Sequence, residues 1–154
     1  METRNDALRY IANRPRTVEE MREHLRNKGR SEESINQVIE DFISCKYLDD
    51  VKYTEMYIRY ALGKKKALFR IKYELQQKGV KDFDIEDGIY LFEEENNVDI
   101  REVEFENAHK EAEKILGKFN GQEIEKKHFD KLARRLNSLG YSAGTITSIL
   151  GEYR

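Results

Sequence analysis

The chain repeats itself at a spacing of fifty residues, and this constrains its fold more than any other property of its 154 residues. Leu8-Arg9-Tyr10 recurs as Ile58-Arg59-Tyr60. Met21, Leu25, Lys28 and Gly29 recur as Ile71, Leu75, Lys78 and Gly79, and Ile35, Ile39 and Phe42 as Ile85, Ile89 and Phe92. A shorter third copy keeps the same intervals at Leu132, Leu136, Gly140, Ile146, Leu150 and Tyr153. Self-similarity at this period builds linked supersecondary units and argues against a single enzyme pocket. Units of this size lie near the lower limit for an independent core, so they are expected to lean on one another. The expected divisions are 1–48, 49–97 and 98–154.

Each copy reads as three helices. Ala7, Leu8 and Ile11 give a first helix over Asn5 to Asn13 an apolar face, and Pro15 ends it. Thr17 with Glu20 three residues later forms a capping box for a second helix lined by Val18, Met21 and Leu25. Gly29 stops that helix in the left-handed conformation, and Ser31 caps a third carrying Ile35, Val38, Ile39 and Phe42. The second copy starts at Asp49 and Asp50, places Tyr53, Tyr57 and Ile58 inward, and runs its third helix from Asp82 to Glu95. The third copy opens with a long helix from Asp99 to Leu116 and a loop from Gly117 to Gln122. A helix with Phe129, Leu132 and Leu136 follows, then one capped by Ser142. No strand or hairpin signal is present. The expected fold is all-α: three tandem three-helix modules, helix-turn-helix-like, in an elongated, curved arrangement.

Net charge is −2, but its distribution is uneven. From Arg59 to Lys81 there are eight basic residues and one acid, Glu74. From Asp82 to Glu106 there are eleven acids and one base, Arg101. Such a split marks either two solvated faces or a partner-binding surface. The single cysteine, Cys45, forms no internal disulfide, and no apolar run reaches transmembrane length. A cytoplasmic, monomeric protein away from the membrane is expected.

Catalytic signatures are missing. Gly63-Lys64-Lys65-Lys66 lacks the earlier glycine and preceding strand of a phosphate-binding loop. His24, His109 and His128 are far apart and lack metal-ligand spacing, so structural roles are expected. The acid pairs Glu19-Glu20 and Glu32-Glu33 sit in helical first turns, where the dipole favours them. No nucleophile has a supporting base. A non-enzymatic protein without cofactor or metal is expected.

An ordered set of residues resembles the RecX family, the bacterial regulators of the recombinase RecA. Tyr47-Leu48-Asp49-Asp50, Tyr53, Tyr57-Ile58-Arg59, Arg70-Ile71 and Glu74-Leu75 ahead of Lys78-Gly79 carry its central signature. Ala7-Leu8-Arg9-Tyr10, Arg14-Pro15-Arg16-Thr17, Glu20, Leu25, Lys28-Gly29 and Ile35 extend it toward the N-terminus. Leu136, Leu139-Gly140-Tyr141-Ser142 and Ile146 are similar to the third module. Two departures bear on how much that module contributes to binding a polyanion. Leu139 stands at a commonly basic position, and the acidic stretch from Asp82 to Glu106 is heavy. The resemblance implies a regulator of the RecA–single-stranded DNA filament that restrains assembly, ATP hydrolysis and strand exchange.

The expected contact residues for filament or DNA are Arg59, Lys64, Lys65, Lys66, Arg70 and Lys72, extended by Arg14, Arg16, Arg22 and Arg26. Contacts of this type neutralise phosphates, so binding to single-stranded DNA is expected to be weak, salt-sensitive and sequence-tolerant. Each has a structural alternative: Arg59 repeats Arg9, and Arg70 lies four residues from Glu74. Tyr10 and Tyr60 are expected to be half-buried between helices, and Tyr47, Leu48, Tyr53 and Tyr57 to pack. Lys64 to Lys66 are expected near a helix start, where their charge opposes the dipole. The rival readings are a sequence-reading DNA-binding protein and a generic helical adaptor.

Overall fold

Apolar residues at helical spacing produce nine α-helices and no strand in the computed structural model, which describes residues 1–154. These are α1 (Glu2–Asn13), α2 (Val18–Asn27), α3 (Glu32–Ser44), α4 (Asp50–Gly63), α5 (Leu68–Gln77), α6 (Asp82–Asn96), α7 (Ile100–Leu116), α8 (Lys126–Ser138) and α9 (Ala143–Gly151). A 3-10 turn at Gly117–Phe119 occupies the start of the expected loop after α7. Helix α1 begins at Glu2, earlier than the apolar pattern alone places it, and ends where Arg14 turns extended ahead of Pro15.

Side-chain caps account for several helix starts, though α1 and α8 begin without one. Thr17 Oγ1 accepts the Glu20 amide at 3.0 Å and Glu20 Oε1 accepts the Thr17 amide at 2.9 Å, a complete capping box. Ser31 and Ser142 each accept the amide three residues on, at 3.1 Å. Asp49 caps α4 through the Lys52 amide at 3.1 Å, whereas Asp50 reaches back to the Val18 amide at 3.0 Å. Burial at that position raises the Asp50 carboxyl above its ordinary pKa.

The ends of α2, α3, α4, α5, α6 and α8 follow one rule. The amide one residue past the left-handed position bonds five residues back, and the left-handed residue bonds three back, as in a Schellman motif. At Gly29, Gly79 and Gly140 the left-handed residue is glycine, in step with the repeat. At Lys46, Lys65 and Asn97 it is not.

The chain gathers into two compact units: Met1–Tyr57 with Glu74–Phe92, and Ile58–Tyr73 with Glu93–Arg154. In the first, Ala7, Met21, Leu25, Ile35, Val38, Ile39, Phe42 and Leu48 form a buried cluster against which Tyr10, Ile11 and Val18 pack. Burying side chains of this size contributes about 1.5–3 kcal/mol each. Arg30 bridges to Asp6 at 2.7 Å and to Glu2 at 2.8 Å, fixing α1 to the end of α2. This hydrogen bond holds the Asp6 carboxyl below the usual carboxylate range. Thr17, fully buried, also donates from its hydroxyl to the Lys78 carbonyl at 2.7 Å. Helix α6 crosses α4 at Gly88, where an added Cβ would lie 2.4 Å from Thr54 Cβ.

The second unit is built on Ala67, Ala108, Ala112, Leu116, Phe129, Leu132, Leu136, Leu139, Tyr141, Ile149 and Leu150. Its buried polar groups are answered within it. Asn107 donates to the Leu62 carbonyl at 3.1 Å, and Arg135 pairs with buried Glu111 at 3.2 Å.

Candidate nucleic-acid interface

Lys64, Lys65 and Lys66 occupy the turn between α4, which ends at Gly63, and α5, which begins at Leu68, so they lie near a helix start as expected and also follow a helix C-terminus. The Lys65 amide bonds to Leu62 O at 2.9 Å and the Lys66 amide to Ala61 O at 3.1 Å. Positive charge at a helix C-terminus is favourable, by about 0.3–1 kcal/mol. At the start of α5 the same charge is unfavourable, so the two helix ends act on this turn in opposite directions. Lys65 is a further departure, a lysine at φ 67° in a turn of the kind that Gly29, Gly79 and Gly140 close after α2, α5 and α8.

The second unit holds this turn from two sides. The Tyr141 hydroxyl donates to the Lys65 carbonyl at 2.9 Å and the Ala67 amide donates to the Leu139 carbonyl at 2.8 Å. Glu104 Oε2 accepts the Leu68 amide at 2.6 Å, capping α5 with an acid where the dipole favours one. Arg70 Nη1 donates to the Ser138 carbonyl at 2.8 Å. Gly140 lets these elements meet: an added Cβ would lie 2.5 Å from Arg70 Cβ and 3.2 Å from Arg70 N. Burial beside Glu104 and Glu111 pushes the Tyr141 hydroxyl well above its ordinary pKa, so it stays a donor.

Arg59, Lys64, Lys65, Lys66, Arg70 and Lys72 all fall in the second unit's segment Ile58–Tyr73, which contains no acid. Arg59 donates to Asn96 Oδ1 at 3.2 Å, whereas Arg9, its repeat partner, pairs with Asp6 at 2.7 Å. Lys64 projects into solvent, its ammonium 5.7 Å from the Tyr60 ring centre.

Arg14, Arg16, Arg22 and Arg26 belong to the first unit, and each has a partner there. Arg14 lies 3.5 Å from Glu20 and donates to the Pro15 carbonyl. Arg16 donates to the Tyr10 carbonyl at 3.0 Å and stacks its guanidinium 3.9 Å from the Tyr10 ring centre. Arg22 donates to Asn36 at 2.7 Å, and Arg26 grips Glu32 with two nitrogens. The Arg26 pair is bidentate and already matched in geometry, so Arg26 is less available to phosphate than Lys64.

The aromatic expectations divide. Tyr10 is half-buried, stacked 3.8 Å from His24 on one face, with Arg16 over the ring. It offers no open face to a base. Tyr60 is instead 56% exposed, contrary to the half-buried role expected of both. Tyr53 is buried as expected, whereas Tyr47 is half exposed, its ring edge-on to Phe42 at 5.3 Å.

Phe69 and Tyr73 escaped the sequence reading. They lie off the apolar stripe of Ile71 and Leu75, one turn apart on the outer side of α5, and are 77% and 53% exposed. The available signal was two aromatics four residues apart on the polar side of a helix within a basic segment. Phe69 also lines a groove of about 380 Å³ with Asn137, Ser142, Thr145 and Tyr141.

Helices closed by repeated caps and Schellman turns, with a basic turn held at the surface, define a helical protein made of linked three-helix domains. Residues 4–42 match the RecX first three-helix domain and residues 49–89 the RecX second three-helix domain. The chain belongs to the RecX family. It is 36% identical over 148 residues to the regulatory protein RecX of Clostridium perfringens (strain 13 / Type A), covering 96% of this chain and 66% of that protein. It is 32% identical over 150 residues to that of Clostridium tetani (strain Massachusetts / E88), covering 97% of this chain and 66% of that protein. The chain thus spans about two thirds of the length of these curated relatives. A crystal structure of RecX from Lactobacillus salivarius matches with a TM-score of 0.78 at 25% identity, over 99% of this chain and 94% of that one. The relatives are named regulatory proteins, and no helix here is long and apolar enough to cross a membrane.

Proposed function

We propose that this chain is a non-enzymatic regulator of the RecA recombinase that binds the RecA–single-stranded DNA filament and restrains its assembly, ATP hydrolysis and strand exchange. The observation that carries the reading is the acid-free basic segment Ile58–Tyr73 in a chain of the RecX family. Its turn is fixed by backbone hydrogen bonds, so the lysine side chains are presented from a rigid base. Contacts to phosphate from such a turn position the protein without reading sequence. Linked three-helix modules, divided as 1–48, 49–97 and 98–154, add weak contacts into useful avidity by raising effective concentration. The third helices fit poorly into a nucleic-acid groove: α6 exposes Glu86 and Asp87. This disfavours a sequence-reading role. No cofactor enters the mechanism.

The test is RecA-catalysed ATP hydrolysis and strand exchange on single-stranded DNA with this protein added below stoichiometry. Both rates are expected to fall. No effect at any ratio overturns the reading. A Lys64→Glu/Lys65→Glu/Lys66→Glu variant is expected to keep its helical circular dichroism and lose inhibition, and full inhibition by that variant removes the turn from the contact surface.

A further inference from the structure

We propose that the outer side of α5 is a stacking platform for nucleobases, on which Phe69 and Tyr73 take successive unpaired bases of single-stranded DNA. The inference rests on the reading that the segment Ile58–Tyr73 meets nucleic acid, and it adds a class of contact that charge alone does not supply.

Phe69 is the most exposed aromatic residue of the chain at 77%, and Tyr73 is 53% exposed. Spaced four residues apart, they share one helix face. Lys72 lies on the same side, and Lys64, Lys65, Lys66 and Arg70 belong to the same acid-free segment. Exposed aromatic faces interleaved with cations are the chemistry of sequence-tolerant single-strand binding, because every base offers a π-face and every linkage a phosphate. A duplex buries those base faces in its own stack and offers the platform only its phosphates. An acidic or neutral peptide would match the charge, but the polar groups beside Phe69 favour a base. The groove at its side is about 380 Å³, within the range of small-ligand sites. Asn137 supplies an amide there, and Ser142 and Thr145 supply hydroxyls. Amides and hydroxyls of this kind suit the donor and acceptor edges of an unstacked base. Glu104, the one acid lining the groove, is already engaged by the Leu68 amide. Rigidity favours the platform too: the backbone of α5's first turn is fixed against Leu139 and Gly140, so little order remains to be lost on binding.

The experiment uses the full chain, a fluorescein-labelled dT oligomer, and a duplex of equal length as probes in anisotropy titrations over a range of salt. Phe69→Ala and Tyr73→Ala are each expected to weaken binding to the oligomer by about fivefold or more, as loss of one stacked base implies. The slope of affinity against salt should stay unchanged, since no phosphate contact is removed. Duplex affinity should move little. Because both side chains project into solvent, the variants should fold as the parent does. A Phe69→Trp variant gives a second readout. The chain contains no other tryptophan, so quenching of its fluorescence by the unlabelled oligomer reports stacking directly. Unchanged oligomer affinity in both alanine variants, an equal loss on duplex, or an unquenched indole overturns the proposal. The recombinase assay separates this from the parent reading. An alanine variant with unchanged oligomer affinity in a chain that inhibits RecA ends the platform alone. An inert parent chain whose alanine variants lose oligomer binding ends the filament reading alone.

Discussion

A lysine in the left-handed region is the local rule this chain breaks at its candidate site. Lys65 takes φ 67° in a turn of the kind that Gly29, Gly79 and Gly140 close elsewhere. A Cβ in this conformation costs about 1–2 kcal/mol, part of which a lysine recovers by restricting the unfolded chain less than glycine does. Lys65→Gly is therefore expected to stabilise the protein by about 0.5–1 kcal/mol, measured by urea unfolding. If Lys65 meets a phosphate, the same variant lowers the salt slope of DNA binding by about one. A stability gain accompanied by weaker nucleic-acid binding is the pattern of a residue kept for its surface rather than for its fold.

Helix starts and crossings are where single side chains decide an element. Thr17 closes a capping box and donates to the Lys78 carbonyl, joining the start of α2 to the end of α5. Thr17→Ala removes the cap and orphans that carbonyl, and is expected to cost about 2 kcal/mol in urea unfolding. Thr17→Ser, which keeps both bonds, should recover most of it. Gly88 sits where α6 meets Thr54 of α4. Alanine is the better helix former by about 1 kcal/mol, yet its Cβ would meet the Thr54 side chain close to the backbone, where little can give. A net loss of about 1–2 kcal/mol is expected for Gly88→Ala in the same assay, and a gain would show that the crossing relaxes.

At the scale of the molecule, the units differ in their response to pH through one histidine each. His24, half-buried against Tyr10 in the first unit, is held below its ordinary pKa by burial. Its unfolded form binds the proton more readily, so stability contributed there falls as pH drops below about 6.5. His109 in the second unit is held above its ordinary value by the Phe105 carbonyl, with the Glu152 carboxylate 2.8 Å away as a further cause. Its contribution is complete below about pH 6.5 and fades as pH rises through the raised value. Urea melts at pH 5.5 and 7.5 are expected to show a smaller acid loss in His24→Asn than in the parent, and a larger one in His109→Asn. The opposite order would overturn the assignment.

Local chemistry carries helix placement in this chain because its determinants lie within a few residues of one another. Thr17 with Glu20, Ser31 with Ser34 and Ser142 with Thr145 were legible as caps for that reason, as were the glycine stops. The core positions Met21, Leu25, Ile71 and Leu75 were legible through their period. The bond from the Val18 amide to Asp50 was not legible, because the two residues are distant in sequence. The lysine turn was legible as lying near the start of α5 but not as the left-handed close of α4, because the left-handed residue there is Lys65, with Gly63 two residues earlier in the last helical position. The candidate site was half legible. Its charge was plain in the composition of one segment, but exposure is a property of packing. Tyr10 and Tyr60 hold equivalent positions, and only the neighbours differ: His24 and Arg16 enclose the first ring, whereas the second stays open to solvent. By itself the sequence determined nine helices, the caps set by near neighbours and the apolar faces, since these depend on short-range periodicity and backbone hydrogen bonding. The tertiary structure decided which basic residues are already matched and which aromatic rings face water, because both depend on partners brought close only when the helices pack.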